Sequence, residues 1–213
     1  MERPELLFVT GCNAAGKSSL IRTHLSQFPD YEVIMTDVYK SRSQEVFKEA
    51  ATARKNIILE TPFNNEAFKS LIDFSKNAGY QSTLIILFLK SPSHSLERVA
   101  ARRTFENGLY ISAEEVEYNF IENFKNVAKY FPYFDRSFFI YTGKKDRNKL
   151  IMNFHQDTII EYKSNDFVFV QKFAEHAYQL QRLDKKDFEV IVANKDYKVE
   201  AAKNIPNKGF KWE

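Results

Sequence analysis

Eight residues near the start of the chain have the types and spacing of a phosphate-binding loop. They run Gly11-Cys12-Asn13-Ala14-Ala15-Gly16-Lys17-Ser18 and fit the pattern G-x-x-x-x-G-K-[ST]. In such a loop the backbone N–H groups and the positive end of the following helix point at phosphate oxygens. The lysine adds a cation for the β- and γ-phosphates, and the serine hydroxyl can ligate Mg²⁺. The nucleotide-binding residues that this pattern predicts are Gly11, Asn13, Ala14, Ala15, Gly16, Lys17, Ser18 and Ser19, with Ser18 as the metal ligand.

The residues around this loop match the setting that the motif needs. Residues 6–10 form a short apolar run that suits a buried strand. After the loop, apolar residues recur at helical spacing until Pro29 ends the pattern. With ordinary residue usage, a chance match to the motif is expected in about one chain of this length in a hundred. Cys12 suits a small side chain that fills a tight turn; a thiol that senses oxidation is the alternative.

Two carboxylates follow predicted strands and are candidates for chemistry beside the loop. Asp37 comes directly after the second apolar run, and Glu60 ends the third. The carboxyl ends of parallel strands line the ligand crevice, so both side chains are expected to face the phosphates. Asp37 is our candidate general base, and a helix N-cap is the alternative. Glu60 could act through Mg²⁺, hold the acceptor, or cap the next helix.

Three arginines lie on the helix predicted after the fourth strand. Arg98 and Arg102 are four residues apart and share a helix face, and Arg103 is adjacent. In small P-loop kinases this region is a lid whose arginines close over the phosphates. A solvated basic face, paired with Glu97 and Glu106, is the alternative.

Apolar runs and helical patterns alternate along most of the chain. Continuous apolar runs predict strands at residues 6–10, 32–35, 56–60, 83–89 and 137–141. Helices are predicted near residues 40–55, 64–77, 93–106 and 113–130. This order predicts an α/β fold of the P-loop NTPase class, with a mostly parallel five-stranded sheet and helices on both faces.

The last third of the chain has a different pattern. Residues 150–154 and 158–162 could form a small hairpin, residues 167–181 predict a helix, and residues 188–192 could form a strand. We therefore expect a kinase-like domain at residues 1–182, with a helical lid around 93–130. A lysine-rich appendage of residues 183–213 follows, which could be ordered or partly flexible.

Composition limits the remaining function classes. The 213 residues carry a formal net charge of +3 and a single cysteine, so no internal disulfide is expected. No apolar run approaches the length of a membrane span, and no secretory signal pattern precedes the first strand. These features favour a cytoplasmic protein without a membrane partner. The four histidines show no metal-ligand spacing.

Two further classes of protein are less well supported. Lysines near the end of the chain, together with Phe210 and Trp212, could contact a nucleic acid, but a solvated tail explains them more simply. We therefore expect no nucleic-acid partner. Residues 194–196 approach the N-K-x-D element of GTPases, but Tyr197 stands where the base-reading aspartate is needed. A GTPase switch protein is thus disfavoured.

The chain resembles the zeta-toxin-like P-loop kinases between the loop and about residue 175. The matching elements are Asn13-Ala14-Ala15-Gly16-Lys17-Ser18, Asp37-Val38-Tyr39-Lys40, Glu60-Thr61, Gly79-Tyr80, Arg98-Val99, Gly108 and Asn126. The chain departs from the family pattern in the lid, where Asn107-Gly108-Leu109 replaces a glycine-glycine-histidine run. Asn119-Phe120 stands where a second lid arginine usually precedes a tyrosine.

The resemblance implies a kinase that uses ATP or GTP with Mg²⁺. It implies Asp37 as the base, Lys17 and the lid arginines as the electrostatic clamp, and Glu60 and Thr61 as acceptor contacts. The acceptor best known in the family is UDP-N-acetylglucosamine, phosphorylated on its sugar 3′-hydroxyl. An antitoxin-like protein partner is a further expectation. Because Asn119 removes one lid cation, the alternative is a nucleotide-binding module with weak or no transferase activity that acts through a protein partner.

Overall fold

The structure is a computed structural model, and it describes residues 3–106, 110–143 and 148–199. Within these ranges eight strands form a single sheet in the order β2-β3-β1-β4-β5-β6-β7-β8. The strands are β1 (Glu5–Gly11), β2 (Tyr31–Met35), β3 (Asn56–Thr61), β4 (Gln81–Phe88), β5 (Arg136–Tyr141), β6 (Lys149–His155), β7 (Thr158–Tyr162) and β8 (Tyr197–Lys198).

Eight α-helices accompany the sheet in the described ranges. They are α1 (Lys17–His24), α2 (Thr36–Tyr39), α3 (Ser43–Thr52), α4 (Lys69–Asn77), α5 (Pro92–Glu106), α6 (Ala113–Tyr130), α7 (Val168–Gln179) and α8 (Lys185–Ala193). Short 3₁₀ turns occupy Leu25–Gln27, Lys40–Arg42, Glu66–Phe68 and Phe131–Tyr133. None of these helices is long and apolar enough to cross a bilayer.

The central strands are apolar on both sides because both faces of the sheet are covered. In β1, Leu6 and Phe8 belong to one core, whereas Leu7 and Val9 belong to the other, as the two-residue repeat of a strand requires. The first core is filled by α3, α4, α6 and α7. The second is filled from α1 and from Phe28 after it. The predicted parallel sheet with helices on both faces is confirmed.

The predicted hairpin is also confirmed, but it extends the main sheet instead of standing apart from it. β1 to β5 pair in parallel, and β6 then pairs with β5 in the antiparallel sense. β7 and β8 continue that antiparallel part. The sheet therefore has three more strands than the five predicted. β6 and β7 are the two strands of the hairpin, and β8 follows α7 and α8 and pairs with β7.

The strand predicted at residues 188–192 is wrong, because these residues lie within α8. The Asp184 side chain caps this helix by accepting from the backbone N–H of Asp187. Ile191, one turn later, is fully buried, and Asn194 ends the helix in the left-handed conformation. Capping and burial at helical spacing outweigh the strand preference of Val190, Ile191 and Val192.

Loop connections bring the functional elements to one edge of the sheet. β1 leads into the phosphate-binding loop, β2 leads into α2, and β3 ends at Thr61. Gly79 ends α4 with φ +78°, and bonds from Gly79 N to Lys76 O and from Tyr80 N to Ser75 O close the helix before β4. The carboxyl ends of β1, β2 and β3 thus lie side by side.

Candidate active site

The phosphate-binding loop needs glycine at two positions for two different reasons. Gly11 has φ +152°, and a Cβ there would lie 2.2 Å from the carbonyl oxygen of Leu87 in β4. Gly16 has φ +95°, which side chains rarely adopt, although a Cβ would meet no atom within 4 Å. The first glycine therefore permits close approach of a neighbouring strand, and the second permits the turn into α1.

Two hydroxyls from other elements hold this loop in place. Ser95 Oγ, in the first turn of α5, donates to Asn13 O at 2.6 Å. Thr142 Oγ1, just after β5, donates to Ala15 O at 2.7 Å. Neither residue was predicted, because no sequence motif links them to a loop 80 or more residues away. They fix the carbonyls of Asn13 and Ala15 and so help to set the conformation of the loop.

Lys17 and Ser18 lie at the opening of the loop with Glu60 beside them. Lys17 Nζ donates to the carbonyls of Gly11 at 2.9 Å and Cys12 at 3.2 Å. Ser18 Oγ donates to Glu60 Oε1 at 3.1 Å. The other oxygen, Glu60 Oε2, is buried and has no hydrogen-bond partner among the described residues. A buried acceptor without a partner at this position fits a cation or the water bound to one.

The electrostatic environment of Glu60 shows which charges share the site. Burial raises the pKa of Glu60, and Asp37 adds to that rise. Lys17, the Ser18 hydrogen bond and Arg102 oppose it. The two candidate carboxylates, the loop lysine and one lid arginine are therefore close enough to interact.

Asp37 is placed in the first turn of α2, a helix of four residues. The N-cap of that helix is Met35, so Asp37 does not occupy the capping position. Its side chain is exposed, whereas Glu60 is only 5% exposed. Of the two carboxylates, Asp37 is thus the one open to solvent.

The three predicted lid arginines have different surroundings. Arg98 Nη1 donates to Thr142 O at 2.8 Å, which ties α5 to the residue that clamps the loop. The charge of Arg102 lowers the pKa of Glu60, as the weakest of several effects on that carboxyl. Arg103 stacks its guanidinium over the Tyr110 ring at 4.9 Å. Arg98 and Arg102 thus face the site, while Arg103 faces the α5–α6 connection. Residues 107–109 of the predicted lid lie outside the described residues.

The loop after β3 is held in an unusual conformation. Phe63 has φ +47° although it carries a bulky side chain. Its N–H donates to Thr61 Oγ1 at 3.1 Å, and its ring packs against Phe8 at 5.1 Å. Thr61, predicted as an acceptor contact, is fully buried and turns its hydroxyl to this backbone. Such strain persists only where surrounding contacts determine the conformation.

Those contacts include three buried asparagines on α6. Asn119, Asn123 and Asn126 are each 4% exposed and lie on the face that meets the core. Asn123 Nδ2 donates to Thr10 Oγ1 at 2.8 Å and to Pro62 O at 2.6 Å. Asn126 Nδ2 donates to Phe63 O at 3.0 Å. The role of this row was missed, although amides at core-facing helical spacing are a readable signal.

Asn119 connects the phosphate-binding loop to the loop after β3. Its Nδ2 donates to Asn13 Oδ1 at 2.9 Å, and its Oδ1 accepts from Asn64 Nδ2 at 2.5 Å. Asn64 also lines a groove of about 540 Å³. The groove runs along α6 and is lined by Asn64, Asn65, Glu66, Tyr118, Glu122, Lys125, Asn126, Lys129, His176 and Leu180.

Cys12 is 3% exposed and packs in the second core. Burial raises the pKa of its thiol, and Lys17 only partly opposes this. The thiol is therefore neutral at physiological pH and fills space in the turn. No cluster of three or more His, Cys, Asp or Glu side chains suited to a metal occurs in residues 3–106, 110–143 and 148–199.

Residues 40–156, more than half of the chain, match the family model described as Zeta toxin. This chain belongs to the Zeta toxin family. The matched segment covers β3, Glu60, both lid helices and Asn119. The phosphate-binding loop precedes it and rests on its own motif and geometry. Comparison with curated proteins finds no match.

Solved structures show the same zeta-toxin-like fold. A chain from the PezAT chromosomal toxin–antitoxin system of Streptococcus pneumoniae is 14% identical, with a TM-score of 0.52 over 91% of this chain and 85% of that one. A chain from the AvrRxo1-ORF1:-ORF2 structure with ATP is 11% identical, with a TM-score of 0.57 over 91% and 77%. The same complex with sulphate ions gives 12% identity and a TM-score of 0.59 over 92% and 78%. At these identities the likeness is one of fold.

Proposed function

We propose that this protein is an ATP-dependent phosphotransferase. It would move the γ-phosphoryl group to a hydroxyl of a small molecule, with UDP-N-acetylglucosamine or a related sugar nucleotide as the first acceptor class to test. The observation that carries this proposal is the grouping of Lys17, Ser18, Glu60, Asp37 and Arg102 at the opening of the loop. A structure of the same fold with ATP, the AvrRxo1 complex, supports ATP as the donor.

The donor side of the site is built from main-chain groups and Lys17. The loop N–H groups and the start of α1 would bind the β- and γ-phosphates. Lys17 already lies over the loop through its bonds to two loop carbonyls, and it would exchange them for phosphate oxygens. Lysine serves here as a point charge on a flexible stem, so this exchange needs little rearrangement.

Mg²⁺ fits the residues on the other side of Lys17. Ser18 Oγ would ligate the ion, and Glu60 Oε2 would accept from its bound water. Mg²⁺ keeps several waters and is usually held by few protein groups together with substrate phosphates, so this sparse set of ligands suits it. When bound, the ion would neutralise charge on the phosphate oxygens.

The geometry favours Asp37 as general base over Glu60. Asp37 is exposed in the first turn of α2, just after β2, whereas Glu60 is buried and accepts a hydrogen bond from Ser18. In the proposed reaction the bond between the γ-phosphorus and the bridging oxygen of ATP breaks, and a bond from the acceptor oxygen forms. The acceptor proton passes to the Asp37 carboxylate, and ADP leaves. Arg102 would stabilise the charge on the transferring group.

A second candidate function is a nucleotide-binding module that acts through a protein partner. Asn119 favours it, because a buried neutral amide stands where the family resemblance implies a cation. Structures of the same fold come from a toxin–antitoxin system and from a two-component complex. We include an antitoxin-like partner in this proposal.

Labelled ATP with a panel of sugar nucleotides and nucleosides separates the two functions. The native protein is expected to label at least one acceptor in the presence of Mg²⁺. Asp37→Asn should bind ATP with nearly native affinity and label nothing, because a base matters to the chemical step. Lys17→Ala should bind ATP about tenfold to a hundredfold more weakly, as expected for loss of charge-assisted hydrogen bonds. Tight ATP binding without labelling of any acceptor would support the partner-dependent module.

A further inference from the structure

Three asparagine side chains form a continuous hydrogen-bonded bridge across the active-site edge. The bridge runs from Asn64 Nδ2 to Asn119 Oδ1 at 2.5 Å and from Asn119 Nδ2 to Asn13 Oδ1 at 2.9 Å. We call Asn64, Asn119 and Asn13 the amide bridge. It joins three segments that are far apart in sequence: the phosphate-binding loop, the loop after β3, and α6.

One outer member of the amide bridge lies in the phosphate-binding loop and the other lines a groove. Asn13 is a residue of the phosphate-binding loop, and its carbonyl is held by Ser95. Asn64 lies two residues beyond Pro62 in the loop after β3 and lines the groove of about 540 Å³. Whatever binds to either loop therefore acts on one end of the bridge.

The middle member, Asn119, is bonded to both loops, so a movement of one loop affects its bond to the other. Asn119 is 4% exposed, so solvent cannot replace a partner that it loses. An unsatisfied buried amide is costly, so a shift of Asn13 favours a matching shift of Asn119 and hence of Asn64. The other two α6 asparagines differ, because they donate to the main-chain carbonyls of Pro62 and Phe63 and fix the base of the loop.

The backbone after β3 has the properties of a segment that can transmit such a shift. Phe63 holds a positive φ of 47°, so its conformation depends on the contacts around it. Asn64, next along the chain, is half-buried. Its side-chain amide donates to Asn119 and so forms its link to the bridge. A change at the bridge would thus alter the exposed part of the loop while Asn123 and Asn126 keep its base in place.

We propose that Asn119 is a positioning residue that couples nucleotide binding at the phosphate loop to the conformation of the loop formed by residues 62–65. The assignment of donor and acceptor sides rests on the proposed function, but the coupling itself requires only nucleotide binding. In this chain an amide thus takes the position of a lid cation and links two loops instead of contacting phosphate.

Hydrogen exchange of a peptide that spans residues 61–68, with and without a non-hydrolysable ATP analogue and Mg²⁺, tests the coupling. In the native protein the nucleotide should change the exchange rate of this peptide by about fivefold or more, the lower range of typical coupling between sites. Asn119→Leu keeps the size of the side chain but removes both bonds. Asn64→Ala removes the far end of the bridge without touching the phosphate-binding loop. Both variants should lose the response.

Calorimetry and a matched control keep this test separate from effects on folding or binding. Asn64→Ala should still bind the analogue, with an affinity changed by no more than about the size of the lost coupling, because coupling between sites is reciprocal. Glu117→Gln, an exposed change on α6, should keep the full exchange response. The double variant Asn64→Ala, Asn119→Leu should show the same loss of response as either single variant. Both substitutions break the same hydrogen bond, so their effects should not add. A native response in Asn64→Ala, or none in the native protein with nucleotide bound, would overturn the proposal. Failure to phosphorylate any acceptor would count against the proposed function alone.

Discussion

Under the proposed function, Glu60 serves the reaction at a cost in the stability of the fold. Burial raises its pKa above the usual range, with Lys17 and Ser18 only partly opposing that effect. A raised folded-state pKa means that this group stabilises the fold most at low pH. That contribution is lost as the pH rises through the folded pKa. At neutral pH and above, the buried carboxylate is therefore kept at a cost in stability.

Glu60→Gln is accordingly expected to stabilise the protein while impairing transfer. At pH 8 we expect the midpoint of thermal unfolding to rise by about 2–4 °C, which corresponds to about 1 kcal/mol for a chain of this size. The gain should shrink as the pH falls towards the ordinary range of glutamate, and Mg²⁺-dependent transfer should be lost. Calorimetric scans at several pH values would measure this, with Glu117→Gln as the exposed control. A gain that does not depend on pH would contradict the electrostatic explanation.

Adjacent arginines provide a matched pair for the lid. Arg102 acts on Glu60, whereas Arg103 stacks on Tyr110. Arg102→Ala should lower the transfer rate by on the order of a thousandfold, as for other arginines that stabilise a transferring phosphoryl group. Arg103→Ala removes the same charge one residue away and should change the rate by less than about threefold. Equal losses in the two variants, measured as kcat at saturating ATP, would mean that general charge matters more than position.

At the scale of elements, α6 is the helix that holds the site together. Its buried asparagines connect the end of β1 to the loop after β3, and Asn123 alone satisfies two acceptors there. Asn123→Ala should lower the free energy of unfolding by about 1–3 kcal/mol, because it leaves buried oxygens without donors. Urea unfolding would measure this, and Glu117→Ala on the exposed face should change stability by less than about 0.5 kcal/mol. A loss no larger than that of Glu117→Ala would show that water replaces the amide.

The sequence predicted elements that carry local signals and missed contacts that depend on distant segments. The strands of the parallel sheet follow from continuous apolar runs, and the phosphate-binding loop follows from its glycine spacing. The strand at 188–192 was wrong because β-branched residues can also sit on a well-capped helix. Ser95 and Thr142 could not be predicted, since their partners are 82 and 127 residues away. The helical spacing of Asn119, Asn123 and Asn126 could have predicted that they share the buried face of α6, but it could not have predicted their hydrogen-bond partners.

At the scale of the molecule, residues 183–199 pack onto the sheet instead of lying apart from it. Asp187 is 2% exposed and its carboxylate accepts from the backbone N–H of Ile159 in β7 at 2.8 Å. Tyr178 of α7 stacks on Phe188 of α8 with ring centroids 4.6 Å apart. Tyr197 and Lys198 then pair with β7. These contacts join α8 and β8 to the antiparallel part of the sheet.

We therefore predict a single cooperative unfolding transition for this packed region and the parallel sheet. Asp187→Ala should lower the free energy of unfolding by about 1–3 kcal/mol, because it leaves the buried N–H of Ile159 without its hydrogen-bond acceptor. Far-ultraviolet and near-ultraviolet circular dichroism should report the same midpoint for the native protein and the variant. An early transition that affects only part of the helical signal would show instead that the end of the chain unfolds as a separate unit.

The central place of β1 has a consequence for how the protein is made. β1 pairs with β3 on one side and β4 on the other, and both are synthesised after it. About 45 residues separate the end of β1 from the start of β3, and about 70 separate it from β4. At about 5–20 residues per second, the ribosome therefore exposes a strand that is apolar on both faces for on the order of several seconds before its partners emerge. The yield of folded protein in a cell should thus depend on chaperone supply and on elongation rate.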